Sequence, residues 1–209
     1  MLAGMLETIA LPGASLRFDP HYLPPGEAEA IFAALRREIA WENHRIRMFG
    51  REIASPRLSC WIGDEGTGYV YSGSRFEPRA WTPTLSRLRD GLRSAPGLDF
   101  NSVLANLYRD GQDGMGWHSD DEPELGERPA IASLSFGATR RFCLRRRDGA
   151  GGTLKLDLPP GSLLLMEGDT QSNYRHALPK TARAVGERIN LTFRLIRPNT
   201  RRNVRPSEG

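Results

Sequence analysis

Apolar residues recur at helical spacing in two stretches of the first half, and at alternating spacing through most of the second half. Glu27 to Trp41 places Ile31, Phe32, Leu35 and Ile39 on one side, which predicts an amphipathic helix that follows a break at Pro24-Pro25-Gly26. A second helix is expected from Thr82-Pro83, where the threonine hydroxyl caps and proline suits the first turn. Leu85, Leu88 and Leu92 form its apolar stripe, and Pro96-Gly97 ends it. Beyond that point short strands are predicted at Ser102 to Arg109, Ala130 to Phe136, Arg141 to Arg145, Thr153 to Leu158, Ser162 to Met166 and Arg188 to Ile196. Leu154, Leu156 and Leu158 alternate with Lys155 and Asp157, and Pro159-Pro160-Gly161 reads as a turn. Two helices followed by many short strands give an α+β, mainly β fold: an antiparallel double-sheet jelly roll braced by helices on one side.

The last of these strands carries the most chemistry. Successive strand residues face opposite ways, so Arg188, Asn190, Thr192 and Arg194 share one face while Ile189, Leu191, Phe193 and Leu195 share the other. An ordinary half-buried strand has this pattern with its polar face in water. Two arginines bracketing an amide and a hydroxyl, however, form a row of donors suited to carboxylates.

Composition limits the alternatives. A chain of 209 residues with 39% apolar content is sized for one domain with one well-buried core. The net charge of +4 permits a nucleic-acid partner without demanding one. Arginines cluster at Arg140-Arg141, Arg145-Arg146-Arg147 and Arg201-Arg202, with Arg45, Arg47, Arg51 and Arg57 upstream; several clusters flanking one site suit phosphate contact. Cys60 and Cys143 have neither metal-like spacing nor a disulfide framework, which fits a reducing compartment, and cytoplasm is the simplest expectation. No apolar run approaches the length of a membrane span, and Met1 to Ala10 lacks the features of an export signal.

Only four histidines occur, and His118 lies two residues before Asp120, so on an extended segment both face one side. With His176 from a later segment they make two imidazoles and one carboxylate, a facial ligand set that leaves coordination positions open and suits non-heme Fe(II) oxygenases. His21 and His44 have no carboxylate partner at ligand spacing and are read as structural or surface residues.

The stretch from about Asn101 to Ile196 resembles the AlkB family of Fe(II)- and 2-oxoglutarate-dependent dioxygenases, which reverse alkylation damage on nucleic-acid bases. The motifs that carry the resemblance are Asn106-Leu107-Tyr108, His118-Ser119-Asp120, His176 and the run Arg188 to Arg194. It implies a double-stranded β-helix core over about 99–197, preceded by helices and nucleotide-recognition hairpins over 1–98 and followed by a basic tail, 198–209. It implies Fe(2+) on His118, Asp120 and His176, with O2 as a second co-substrate. It also implies 2-oxoglutarate on Asn106, Tyr108, Arg188, Asn190, Thr192 and Arg194, with Arg188 on the distal carboxylate and Arg194 near the metal. The implied reaction hydroxylates the N-methyl group of N1-methyladenine or N3-methylcytosine in DNA, with RNA as a further candidate, and releases formaldehyde, succinate and CO2.

Such a base must be flipped out or already single-stranded. Trp61 and the segment Tyr69-Val70-Tyr71-Ser72 resemble the family's nucleotide-recognition region, although Trp61 aligns only with a shift of register. Glu122 matches the acidic position that reads a cationic base. Met48-Phe49-Gly50-Arg51 resembles a hydrophobic finger, a wedge for the vacancy left by a flipped base, with Pro56-Arg57 following at a matching distance. A monomer is expected. The competing readings are the same oxygenase chemistry on a protein or small molecule, and a non-catalytic nucleic-acid binder.

Overall fold

The computed structural model describes residues 6–48, 51–71, 74–93 and 98–197, and for 45–48, 51–53, 69–71 and 74–76 it describes the backbone alone. In chain order the elements are β1 (Glu7–Ile9), β2 (Ser15–Asp19), α1 (Pro25–Glu38), β3 (Arg45–Met48), β4 (Arg51–Ala54), β5 (Leu58–Gly63), β6 (Tyr69–Tyr71), β7 (Ser74–Phe76) and α2 (Pro83–Leu92). There follow β8 (Ser102–Tyr108), β9 (Met115–His118), a 3-10 turn (Pro123–Leu125), β10 (Ile131–Gly137), β11 (Arg140–Arg146), β12 (Leu154–Leu158), β13 (Leu163–Glu167), α3 (Thr170–Asn173), β14 (Tyr174–Leu178) and β15 (Arg188–Arg194).

From β8 onward the strands are shared between two antiparallel sheets. One has the order β1-β2-β13-β10-β15-β8-β5 and the other β12-β11-β14-β9. This is the expected double-stranded β-helix, widened at its larger sheet by β1 and β2 on one edge and β5 on the other. Two further hairpins, β3-β4 and β6-β7, arise on either side of β5 in the chain.

Two apolar layers position the site. Ile31 and Leu35 of α1 and Leu85 and Leu88 of α2 pack on the outer face of the larger sheet, against Leu134 and Phe136 of β10 and Ile189, Leu191 and Phe193 of β15. Each such side chain withdrawn from water contributes roughly 1.5–3 kcal/mol. Between the sheets lies a second cluster that includes Leu16, Phe142, Leu144, Leu164 and Met166. The polar face of β15 therefore points into the roll and not into water: Arg188 and Arg194 are 1% and 3% exposed.

Several boundaries differ from expectation for local reasons. Pro25 begins α1 rather than preceding it, because proline lacks an N–H that the first turn would leave unbonded anyway. The helix also ends at Glu38, since Ile39 turns extended to drop its side chain into the core. Thr82 Oγ1 caps α2 by accepting from the Leu85 N–H at 3.3 Å. Leu195 departs from its predicted face and is 38% exposed. β15 stops at Arg194 because the Asn101 side-chain amide bonds the backbone N–H and carbonyl of Ile196, at 2.7 and 2.8 Å, and sends Ile196 into the core instead. At the β12–β13 turn Gly161 has φ +80°, and a Cβ there would lie 2.6 Å from the Leu23 carbonyl, so the turn needs glycine to admit the segment leading into α1. Among the described residues no helix is long and apolar enough to cross a membrane.

Candidate metal and co-substrate site

His118 ends β9, the edge strand of the smaller sheet, and His176 lies directly opposite it on β14. The two rings are 4.2 Å apart between centroids at 65°. Asp120 follows two residues beyond β9, and one ligand atom each from His118, Asp120 and His176 lies within 4.8 Å of the others. Local bonds hold this turn. The Asp120 N–H donates to Gln171 Oε1 at 3.0 Å and Ser119 Oγ donates to the Tyr174 carbonyl at 2.7 Å, while Arg147 Nε donates to Ser119 Oγ at 3.2 Å. His118 Nδ1 sits 2.8 Å from the Gly116 carbonyl, which can only accept, so that nitrogen carries the proton and the Nε2 lone pair is left for a metal.

The charge states suit ligands. Burial, reinforced by His118 alongside, pushes His176 from 6.5 to about 3, and burial lowers His118 as well. Burial alone would raise Asp120, but the Arg194 guanidinium and both imidazoles outweigh it and hold the carboxyl at about 2. Folded-state pKa values depressed in this way contribute stability that is complete above the unfolded values and disappears on acidification. In the metal-free protein the contribution of His176 is expected to be complete above about pH 6.5 and to fall away as the pH drops towards 3, with Asp120 adding a loss between 3.8 and about 2. Thermal unfolding followed from pH 8 to pH 4 checks this; His176→Gln should flatten the curve, and an equally steep fall in that variant would contradict it.

The cavity beside these ligands is walled by β8 and β15. Arg188 donates from Nη2 to Ser135 Oγ at 3.0 Å and lies over the Tyr108 ring, 5.3 Å from its centroid, but its Nε and Nη1 are buried with no hydrogen-bond partner among the described residues. Burial lowers its pKa to about 10, so it remains a cation at neutral pH. Among the described residues no carboxylate pairs with it. A desolvated guanidinium with unmet donors is costly unless an anion joins it, and this fits the carboxylate of a small diacid. Arg194 is different: its Nη2 donates to Asp120 Oδ1 at 2.9 Å, which ties the far end of β15 to the metal ligands.

Not every predicted contact keeps the expected role. Asn190 Nδ2 donates to Ser133 Oγ and the Leu134 carbonyl at 2.8 and 3.0 Å, and its Oδ1 accepts from Thr192 Oγ1 at 3.2 Å. Both line the cavity, but the structure spends their hydrogens on β10 and on each other, so they brace the wall rather than offer donors to a ligand. Asn106 and Tyr108 share the cavity face of β8, and Asn106 Oδ1 accepts from Arg57 Nε at 2.7 Å, which brings Arg57 into the wall beside them. Trp61 does not reach the cavity. It is 4% exposed in the cluster between the sheets and its indole donates to the Thr67 carbonyl at 2.9 Å, so it lacks the open face that stacking on a base requires. Glu122 is half-buried at the start of the 3-10 turn, with Oε2 enclosed and outside the cavity lining. Of the hairpin residues, the backbones of Met48, Tyr69 and Tyr71 lie on strands β3 and β6, while Phe49 and Ser72 fall outside the described residues.

Four of the clustered arginines are engaged within the fold, while Arg201 and Arg202 lie outside the described residues and Arg45, Arg47 and Arg51 are described by their backbone alone. Arg140 is 3% exposed and donates to the carbonyls of Asp110, Asp113 and Pro179, all at 2.9 Å, as a tie between loops. Arg141 pairs with Asp157, Arg146 with Asp148 and Arg147 with Asp121. Sequence reasoning missed Ser135 and Gln171, and also Phe142, whose ring stacks on His176 at 5.3 Å. The alternation Ser133, Ser135 against Ala132, Leu134, Phe136 in β10 was a usable signal for the first of these; nothing in the sequence marked Gln171.

Comparison with known proteins agrees with this geometry. Residues 15–194 match the model of the 2OG-Fe(II) oxygenase superfamily. DNA oxidative demethylase ALKBH2 of Bos taurus is 40% identical over 188 residues, a match that covers 85% of this chain and 68% of that protein. The alpha-ketoglutarate-dependent dioxygenase alkB homolog 3 of Homo sapiens is 39% identical over 191 residues, covering 87% of this chain and 66% of that one. The chain thus spans about two thirds of the length of these relatives. The solved structure of OsALKBH1 superposes with a TM-score of 0.62 at 16% identity, covering 91% of this chain and 100% of that one, and so shares the fold. With a superfamily match across the whole roll and about two-fifths identity to these relatives, the chain belongs to the AlkB family of Fe(II)- and 2-oxoglutarate-dependent dioxygenases.

Proposed function

We propose that the chain is an oxidative demethylase of alkylated nucleic-acid bases, taking N1-methyladenine and N3-methylcytosine in DNA, with RNA as a second polymer. The relatives' names supply the reaction class. The observation on this chain that carries it is the convergence of a His-Asp-His ligand set and a buried, unmatched Arg188 on one cavity.

His118 Nε2, a His176 nitrogen and the Asp120 carboxylate would hold ferrous iron, and Arg188 would take the distal carboxylate of 2-oxoglutarate. When bound, iron with that co-substrate and O2 supplies hydroxylation of the N-methyl carbon, giving succinate, CO2 and a hemiaminal that sheds formaldehyde. The protein's own work is placement and exclusion. Phe142 against His176, with Met115 and Leu178, gives the metal end an apolar lining that sheds water. Arg194 fixes the Asp120 carboxylate, and Gln171 fixes its backbone. By resemblance, Tyr69 and Tyr71 of β6 are assigned to the flipped nucleotide, and Met48 of β3 with Phe49, the next residue in sequence, to its vacancy.

The test is anaerobic reconstitution with Fe(II), then exposure to O2 with methylated oligonucleotides, single- and double-stranded, with and without 2-oxoglutarate. Mass spectrometry should show loss of the methyl group only where 2-oxoglutarate is present; turnover of the co-substrate with no change in any oligonucleotide would reject a base as the target. Glu122, which lies outside the co-substrate cavity, is assigned by resemblance to the positive charge of the lesion. Glu122→Ala is expected to lower the preference for N1-methyladenine over the neutral N3-methylthymine by roughly tenfold, about 1.4 kcal/mol of lost complementarity. An unchanged ratio would remove Glu122 from base reading.

A further inference from the structure

The outer face of the smaller sheet carries a group of side chains that the site does not use. Trp117 of β9 is 38% exposed, and the Arg145 guanidinium of β11 lies 4.1 Å from its ring centroid. Arg145 is cross-strand neighbour to Arg175 of the intervening β14. Like charges directly opposite each other destabilise a sheet. Other arginines of β11 and of the loop after it are paired with Asp157, Asp148 and Asp121, whereas among the described residues no carboxylate meets Arg145 or Arg175. Lys155 of β12 continues the cationic face beside Cys143.

We propose that Trp117, Arg175 and Arg145 form a landing strip for the nucleic-acid strand that flanks the target nucleotide. The charge pattern suits a polyanion, and an aromatic ring among cations suits stacking as well as phosphate binding. Position favours the same partner. Trp117 immediately precedes His118 and Arg175 immediately precedes His176, and β9 is the sheet edge, so a strand bound outside has only that edge to round before a nucleotide enters the cavity. This inference rests on the base-demethylation reading, yet binding can be read without turnover.

The experiment is a fluorescence-anisotropy titration of a labelled single-stranded oligonucleotide carrying one N1-methyladenine, repeated across salt concentrations, using the full chain and Arg145→Ala/Arg175→Ala. Turnover of the free N1-methyladenosine monophosphate is measured alongside. The double variant should bind the oligonucleotide about tenfold more weakly, with a salt dependence shallower by about 0.7 in log–log slope for each phosphate that is no longer neutralised. Its turnover of the mononucleotide should not change. Arg141→Ala, which removes a paired arginine of the same sheet, should leave both readouts alone. Unchanged affinity and salt slope in the double variant would overturn the strip, as would an equal loss on the mononucleotide. Equal loss of binding to polyglutamate would transfer the surface to an acidic protein partner and overturn the nucleic-acid assignment. If the wild type binds through these arginines but demethylates no base, the surface stands and the demethylation reading falls.

Discussion

Asp120→Asn is expected to take iron-dependent demethylation below detection, and at the same time to lower the stability of the metal-free fold. The two losses have different origins. The first follows from replacing the only anionic member of the ligand set by a neutral amide, which leaves two imidazoles to hold a dication. The second follows from Arg194, which is 3% exposed and whose Nη2 donates to Asp120 at 2.9 Å; breaking a buried pair from one side costs about 3–5 kcal/mol because the remaining charge stays desolvated. A double variant, Asp120→Asn/Arg194→Met, separates them. Calorimetric melting should recover much of the lost stability there, since both charges are gone, while turnover stays absent. Recovery of turnover in the double variant would show that Asp120 acts through Arg194 and not on the metal.

Arg188→Ala should raise the KM for 2-oxoglutarate by about a hundredfold, corresponding to about 2.7 kcal/mol, in the range of charged hydrogen bonds removed from a dry site. The effect should be confined to the co-substrate. Iron affinity in its absence, and affinity for a methylated oligonucleotide, are expected to change little, because Arg188 bonds Ser135 and lies over Tyr108 rather than touching the ligand triad. Arg188→Lys tests the geometry. An ammonium keeps the charge but not the planar array of donors, so it should recover only part of the loss. Steady-state kinetics with 2-oxoglutarate as the varied substrate decide it, and a KM within threefold of wild type in Arg188→Ala would place the diacid elsewhere.

Much of this site was legible in the sequence because it is written in a period of two. Arg188 to Arg194 announces two opposed faces whatever the rest of the chain does, and β10 repeats the theme with Ser133 and Ser135. The two helices were equally plain in their leucine stripes. Periodicity does not say which face meets water, however, and that was settled only by the second sheet closing over β15. Strand β14 escaped prediction because Tyr174-Arg175-His176-Ala177-Leu178 is buried at four of five positions and reads as neither alternation nor stripe. The functions of Gln171, Asn101 and Arg140 were invisible for another reason. Each bonds backbone atoms distant in sequence, such as Asp120, Ile196 and Pro179, and no local pattern encodes such a partner. The same blindness made Arg140-Arg141 look like a phosphate patch when one is a buried tie and the other half of an ion pair.

β15 has no idle side. Ile189, Leu191 and Phe193 are wholly enclosed beneath the helices, and the residues between them furnish the cavity wall. In most strands one surface is free to drift between relatives, but here a neutral change has nowhere to land over seven consecutive positions. Such a segment should be the stillest part of the gene over evolutionary time, and the first place where random mutagenesis runs out of survivors.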